Sequence, residues 1–126
     1  MEAQEILKTP IGTIEPEKKT LKPAKVMIVN VSIEHIEKAK ADKAVFKVKH
    51  PDKEETVNIS SVSFLDEREI ITVGTWINMD NKNKLQKGSG TARLLNKIGV
   101  QSLQEAQGKE IDTELDERGY LCFKAY

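Results

Sequence analysis

Apolar and polar residues alternate with a two-residue period through most of this chain, and turn-forming residues cut the alternation into six predicted strands. The first is placed at residues 24–34, where β-branched residues are dense and Met27, Val29, Val31 and Ile33 share one face. A Lys/Ala loop at 35–41 follows and has no apolar stripe. The second strand, 43–49, sends Ala44, Phe46 and Val48 one way and Lys43, Val45, Lys47 and Lys49 the other. His50, Pro51, Asp52 and Lys53 make a turn. The third strand, 55–64, carries Val57 and Ile59 on one face. Ser60 and Ser61 shift the register, as a bulge does, and Val62 and Phe64 return to that face. After a turn at Asp66–Arg68, the fourth strand, 69–79, groups Ile71, Val73, Ile77 and Met79. Thr72, Trp76 and Asn78 fall on its other side, with Gly74 at a mid-strand bend.

The period changes once. Over 90–98, Leu94, Leu95 and Ile98 form a narrow helical stripe. Ser89 stands at the N-cap and Gly99 at a left-handed C-cap, with Val100 packing back. Residues 102–107 allow a further short turn. The last two strands, 109–115 and 119–126, are joined by Asp116, Glu117, Arg118 and Gly119 as a hairpin. Ile111, Thr113 and Leu115 face inward on one, and Leu121, Phe123 and Ala125 on the other. Four strands, a helix and two strands describe a mainly β fold. The expectation is a small OB-like Greek-key barrel of five to six strands, with one helix before the last two.

Length and charge narrow this picture. A chain of 126 residues makes one domain, here 22–126, large enough for a core without staples. Residues 1–21, with Pro10, Pro16, Gly12 and many charges, read as a flexible N-terminal arm. The single cysteine, Cys122, leaves no disulfide framework and suits a reducing, cytoplasmic setting. The longest apolar run, near Val26–Val31, is far too short for a membrane span, and the start of the chain lacks the basic and apolar regions of a signal peptide. Net charge is zero, but residues 18–53 hold ten lysines against four acids, and 82–97 hold five cations and no acid. Such blocks can set a basic face on a neutral molecule, though the plainer reading of charge alone is a solvated surface with scattered charges.

No catalytic constellation stands out. His35 and His50 have no cysteine or second histidine at ligand spacing, so no metal or cofactor is expected and both read as exposed polar residues. Glu110, Asp112 and Glu114 alternate with Ile111 and Thr113 and form a solvent face. Cys122 shares a face with Tyr120, Lys124 and Tyr126, with nothing nearby in sequence to lower its pKa. Lys87, Gly88, Ser89, Gly90 and Thr91 precede the helix. With Arg93 they have the makings of an anion cradle, though the plainer reading is a connector and N-cap. Trp76, set apart from the core face, has two readings: an exposed stacking platform for bases, or a ring packed under the arm or a loop. Lys43, Lys47 and Lys49 form a basic stripe, and Lys82, Lys84, Lys87 and Arg93 supply a second cluster.

The Lys-Val-x-Ile-Val-x-Val first strand, Thr75-Trp76-Ile77, the run Thr91 to Gly99, and Gly108-Lys109-Glu110-Ile111 together resemble the single-strand-binding-like OB-fold proteins of phages and archaea. The resemblance covers Ala24 to Tyr126 and implies an OB-fold and a role in DNA replication or repair. Two functions therefore stand at this point. One is a non-enzymatic module for single-stranded nucleic acid, using Trp76, Lys43, Lys47, Lys49, Lys82, Lys84, Lys87 and Arg93. The other is a protein-interaction or structural subunit that docks a partner through the barrel and the arm.

Overall fold

A computed structural model describes residues 21–126. The arm expected at 1–21 lies, but for Leu21, outside the described residues. Eight strands and one helix follow in order: β1 Val26–Ile36, β2 Ala41–Lys49, β3 Val57–Ile59, β4 Ser61–Asp66, β5 Glu69–Gly74, α1 Gly90–Ile98, then β6 Glu110–Ile111, β7 Thr113–Leu115 and β8 Leu121–Ala125. A 3₁₀ turn at Gln104–Ala106 sits between α1 and β6. No helix among the described residues is long and apolar enough to cross a membrane.

The strands form two four-stranded sheets, ordered β3-β2-β1-β6 and β5-β4-β8-β7. Two bent strands join them. One bends at Ser60, between β3 and β4, and the other at Asp112, between β6 and β7. Followed sideways, the pairing runs from β1 to β2, β3 and β4, crosses a parallel step to β8, and returns through β7 and β6 to β1. With each bent strand counted once, that is the closed OB-type order, and α1 stands before the last two strands as expected. β5 is the extra strand, paired with β4 from Glu69 to Gly74.

Thr75 fixes the Ser60 corner. Its N–H donates to the Ser60 carbonyl at 3.0 Å, and its carbonyl accepts from Ala44 N–H at 2.8 Å. Its buried hydroxyl donates to the Ala44 carbonyl at 2.5 Å. This corner ends the fourth strand at Gly74 rather than 79. Beyond it, Trp76 makes one bridge to Lys43, and Met79 bridges Leu85 in a small hairpin.

The core lies between the sheets and α1. Phe46 and Phe123, both fully buried, meet edge to face with ring centroids 5.1 Å apart, a geometry worth about 0.5–1.5 kcal/mol beyond burial. Leu94 and Leu95 are buried in the same cluster, and Ile98 packs on its margin. The helix sits close because Gly90 allows it: a Cβ there would lie 2.5 Å from Val73 Cγ2 and 3.0 Å from Val62 Cγ1. Both caps form as the sequence indicates. Ser89 Oγ accepts from Ala92 N–H, and Gly99, at φ 76°, turns the chain so that Val100 N–H reaches the Leu95 carbonyl.

Five expected orientations are corrected. In β1 the register slips between Ile28 and Asn30, so Val29 is an extra residue. Before it Val26 and Ile28 face the core, and after it Val31 and Ile33 stand opposite Phe46 and Ala44. Met27 and Val29 are turned out, because a bulge resets the two-residue period. Met79 and Leu115 are about half exposed, since the corner at Thr75 and the short β7 carry them past the barrel. His50, expected at the surface, is fully buried. Its Nδ1 accepts from Asp52 N–H at 3.0 Å, which puts the proton on Nε2 to donate to the Lys22 carbonyl at 2.8 Å.

Candidate nucleic-acid interface

On the outer face of the barrel, Gly74 leaves room for two neighbouring side chains. A Cβ at Gly74 would lie 2.7 Å from Trp76 Nε1 and 2.8 Å from Lys43 Cε. The missing side chain therefore leaves a shallow seat that the indole edge and the lysine stem share. Lys43 Nζ stands 5.0 Å from the Trp76 ring centroid, a cation–π contact worth about 0.5–1 kcal/mol where solvent reaches it. The backbone keeps the two together, since Lys43 and Trp76 are bridge partners and Thr91 Oγ1 donates to the Trp76 carbonyl at 2.7 Å. Trp76 is half-buried, so part of the indole remains accessible.

Lys47 lies on the same face of β2, exposed, opposite Asn30 on one side and Asn58 on the other. Among the described residues no lysine forms an ion pair. Within the described residues, then, no carboxylate pairs with their charge.

The other sequence-derived residues are dispersed. Lys49 is on the same strand face, but six residues from Lys43, about 20 Å along a strand. It lines a separate concavity with Lys25, Lys53, Glu54 and Glu110. Lys82, Lys84 and Lys87 belong to the hairpin beyond Trp76. Its turn is held by Asp80, whose carboxylate accepts the N–H groups of Lys82 and Lys84. Those backbone bonds, Lys84's first, hold the Asp80 carboxyl below its ordinary pKa. Lys84 and Lys87 turn toward a groove at the end of the barrel.

Arg93 is engaged in packing. It donates to the Gly88 and Leu65 carbonyls, each at 3.3 Å, and lies 4.5 Å over the Phe64 ring. It sits by the β4–β5 turn, at the opposite end of that hairpin from Gly74. The glycine-rich run before α1 is likewise a connector and cap. Gly90 packs on Val73 and Val62, and Ser89 and Thr91 use their hydroxyls on Gln86 and Trp76 carbonyls.

The structure adds residues that sequence reasoning did not select. β8 runs parallel to β4, placing Cys122 Sγ 3.2 Å from Ser63 Oγ, which in turn is 2.6 Å from Thr72 Oγ1. Thr72 and Gly74 alternate on one face of β5, so Tyr120, Lys124 and Tyr126, which alternate with Cys122, extend the face that holds Trp76. Arg118 stacks 5.5 Å over Tyr120, and Lys124 Nζ stands 5.0 Å over Tyr126. Tyr120 is 57% exposed. The Tyr126 hydroxyl donates to the Glu114 carboxylate, and that bond, with some burial, pushes its pKa up to about 12. Burial pushes the Cys122 thiol up, partly offset by the Ser63 bond, so it remains protonated and unreactive at neutral pH. The alternation of Tyr120, Cys122, Lys124 and Tyr126 was visible in the sequence; the parallel pairing that joins them to Trp76's face was not.

The chain matches no family model, no curated protein and no solved structure.

Proposed function

We propose that this domain binds single-stranded nucleic acid across the outer face of its barrel, as a non-catalytic cytoplasmic module in DNA replication or repair. The reading rests on one observation: the Lys43 ammonium lies over the Trp76 ring, and both are seated on Gly74, on the outer face beside β2. That pair offers an aromatic plane for a base and a cation for the adjoining phosphate. Lys47 continues the cationic track along β2, and the Arg118–Tyr120 and Lys124–Tyr126 pairs offer further stacking positions across β8. OB barrels use this region, the face of strands 2 and 3 with the adjoining loops, for oligonucleotides. Stacking is sequence-tolerant because every base has a π-face, so little base preference is expected.

Trp76 is the only tryptophan, and its emission is a direct test. Titration with an oligo-dT of about thirty bases at low salt should quench that emission saturably, whereas a duplex of the same length should quench it far less. No quenching by the single strand, or equal quenching by the duplex, overturns the reading.

A further inference from the structure

The barrel has a second distinctive surface, at the end away from His50, with no part in the stacking face. β1 pairs with β2 along its length, but its other edge is covered only at the start. Val26 and Met27 pair with β6, and Ile28 exchanges backbone bonds with Gly108 and Lys109. From Val29 to Ile36 that edge has no neighbouring strand among the described residues. Beside it lies a groove of about 830 Å³ whose apolar lining includes Ile33, Met79 and Leu103. Ile33 and Met79 are 53% and 54% exposed, high for large apolar side chains. The groove and the open edge meet at Ile33, whose side chain lines one and whose backbone belongs to the other.

Charge selects among occupants. Lys84 and Lys87 line the groove, and the one carboxylate there, Asp42, already accepts from His35 Nδ1 at 2.9 Å. A ligand entering it meets apolar walls and a basic rim. No aromatic side chain lines the groove, so it lacks the stacking surface that single-stranded nucleic acid uses. An unpaired strand edge beside side-chain pockets is instead the arrangement that takes up an extended peptide: main-chain bonds give affinity and alternate side chains give specificity.

We propose that the Val29–Ile36 edge and this groove bind an extended peptide segment of a partner protein, one in which apolar and acidic residues alternate. The peptide adds a strand to β1, its apolar side chains enter between Ile33, Met79 and Leu103, and its carboxylates face Lys84 and Lys87. The site is separate from the Trp76 face and does not depend on nucleic-acid binding.

The test is selection of a displayed random library of peptides of about twelve residues on the full-length chain. The leading sequence is then synthesised with a fluorophore and titrated by anisotropy. Enrichment of alternating apolar and acidic residues is expected. Ile33→Lys, at a half-exposed position, and the double variant Lys84→Glu/Lys87→Glu should each weaken the synthetic peptide by about tenfold or more, while Trp76→Ala leaves its affinity unchanged. Circular dichroism confirms that each variant is folded. Four results overturn the proposal. They are no enrichment over a blank surface; peptides indifferent to Ile33→Lys; displacement of the peptide by oligo-dT with loss of both ligands in Ile33→Lys, which assigns the groove to nucleic acid; and a dimer in light scattering that Ile33→Lys dissolves, which assigns it to a second copy.

Discussion

Replacing Gly90 with alanine tests how the helix is docked. The added methyl would lie 2.5 Å from Val73 Cγ2, 3.0 Å from Val62 Cγ1 and 3.6 Å from Phe64 Cε1. Carbon atoms pack best at about 3.5–4.0 Å, so one contact is short by about 1 Å. Valine is restricted at χ1 and cannot swing aside cheaply. The N-terminus of α1 must therefore lift, straining the 2.7 Å bond from Thr91 to the Trp76 carbonyl and loosening buried Leu94 and Leu95. Overpacking of this kind costs about 1–3 kcal/mol. Alanine recovers up to about 1 kcal/mol of helix propensity, and less at a first helical position. The net expectation is a loss of about 1–2 kcal/mol. With m near 1–3 kcal/mol/M, the urea midpoint should fall by roughly 0.3–2 M at unchanged m. Gly88→Ala, where a Cβ meets nothing within 4 Å, should be close to neutral. If Gly90→Ala is as stable as the parent, the helix does not bear on the sheet as described.

Three further expectations follow from the same geometry. Leu95→Ala, at a position 3% exposed, should cost about 2–5 kcal/mol in chemical unfolding, and a loss under about half a kcal/mol would place α1 outside the core. Gly74→Ala should leave stability within about 1 kcal/mol, because relief of a strand glycine offsets the lost cation–π contact. It should nevertheless shift Trp76 emission by pushing the indole off its seat, and an unchanged spectrum would contradict that packing. His35 is held protonated by its bonds to Asp42 and then Glu37, so its pKa stands above the ordinary 6.5. The stabilisation of the β1–β2 turn is therefore present in full below about pH 6.5 and fades as pH rises through the folded value; an NMR titration of the His35 ring giving 6.5 or less would refute it.

Much of the fold was legible because local chemistry carried it. The Ser89 cap, the Leu94–Leu95–Ile98 stripe and Gly99 define α1 within the chain itself, and the register shift at Ser60 marks the corner where β3 becomes β4. What escaped depended on distant partners. Nothing in Val26–Val31 says that Val29 is the odd residue, since the bulge is a property of the pairing with β2. His50 reads as a turn residue, yet its burial depends on the Lys22 carbonyl, 28 positions away. For the interface, alternation was enough to set Trp76 apart from the core. It could not show that Gly74 seats Lys43 against the indole, or that Arg93 is held by Gly88 and Leu65. Those facts arise from cross-strand neighbours.

The central claim is that Trp76 stacks on bases while lysines meet phosphates, and the salt dependence of binding separates the two roles. Affinity for a single strand of about thirty bases, measured from low to moderate salt, should fall linearly on a log–log plot, each neutralised phosphate contributing about −0.7 to the slope. Trp76→Ala should weaken binding by roughly 1–3 kcal/mol at every salt concentration and leave the slope unchanged. Lys47→Ala should weaken binding and flatten the slope by about 0.7. No binding by the parent chain at low salt, or a Trp76→Ala variant that binds as the parent does, would contradict the account.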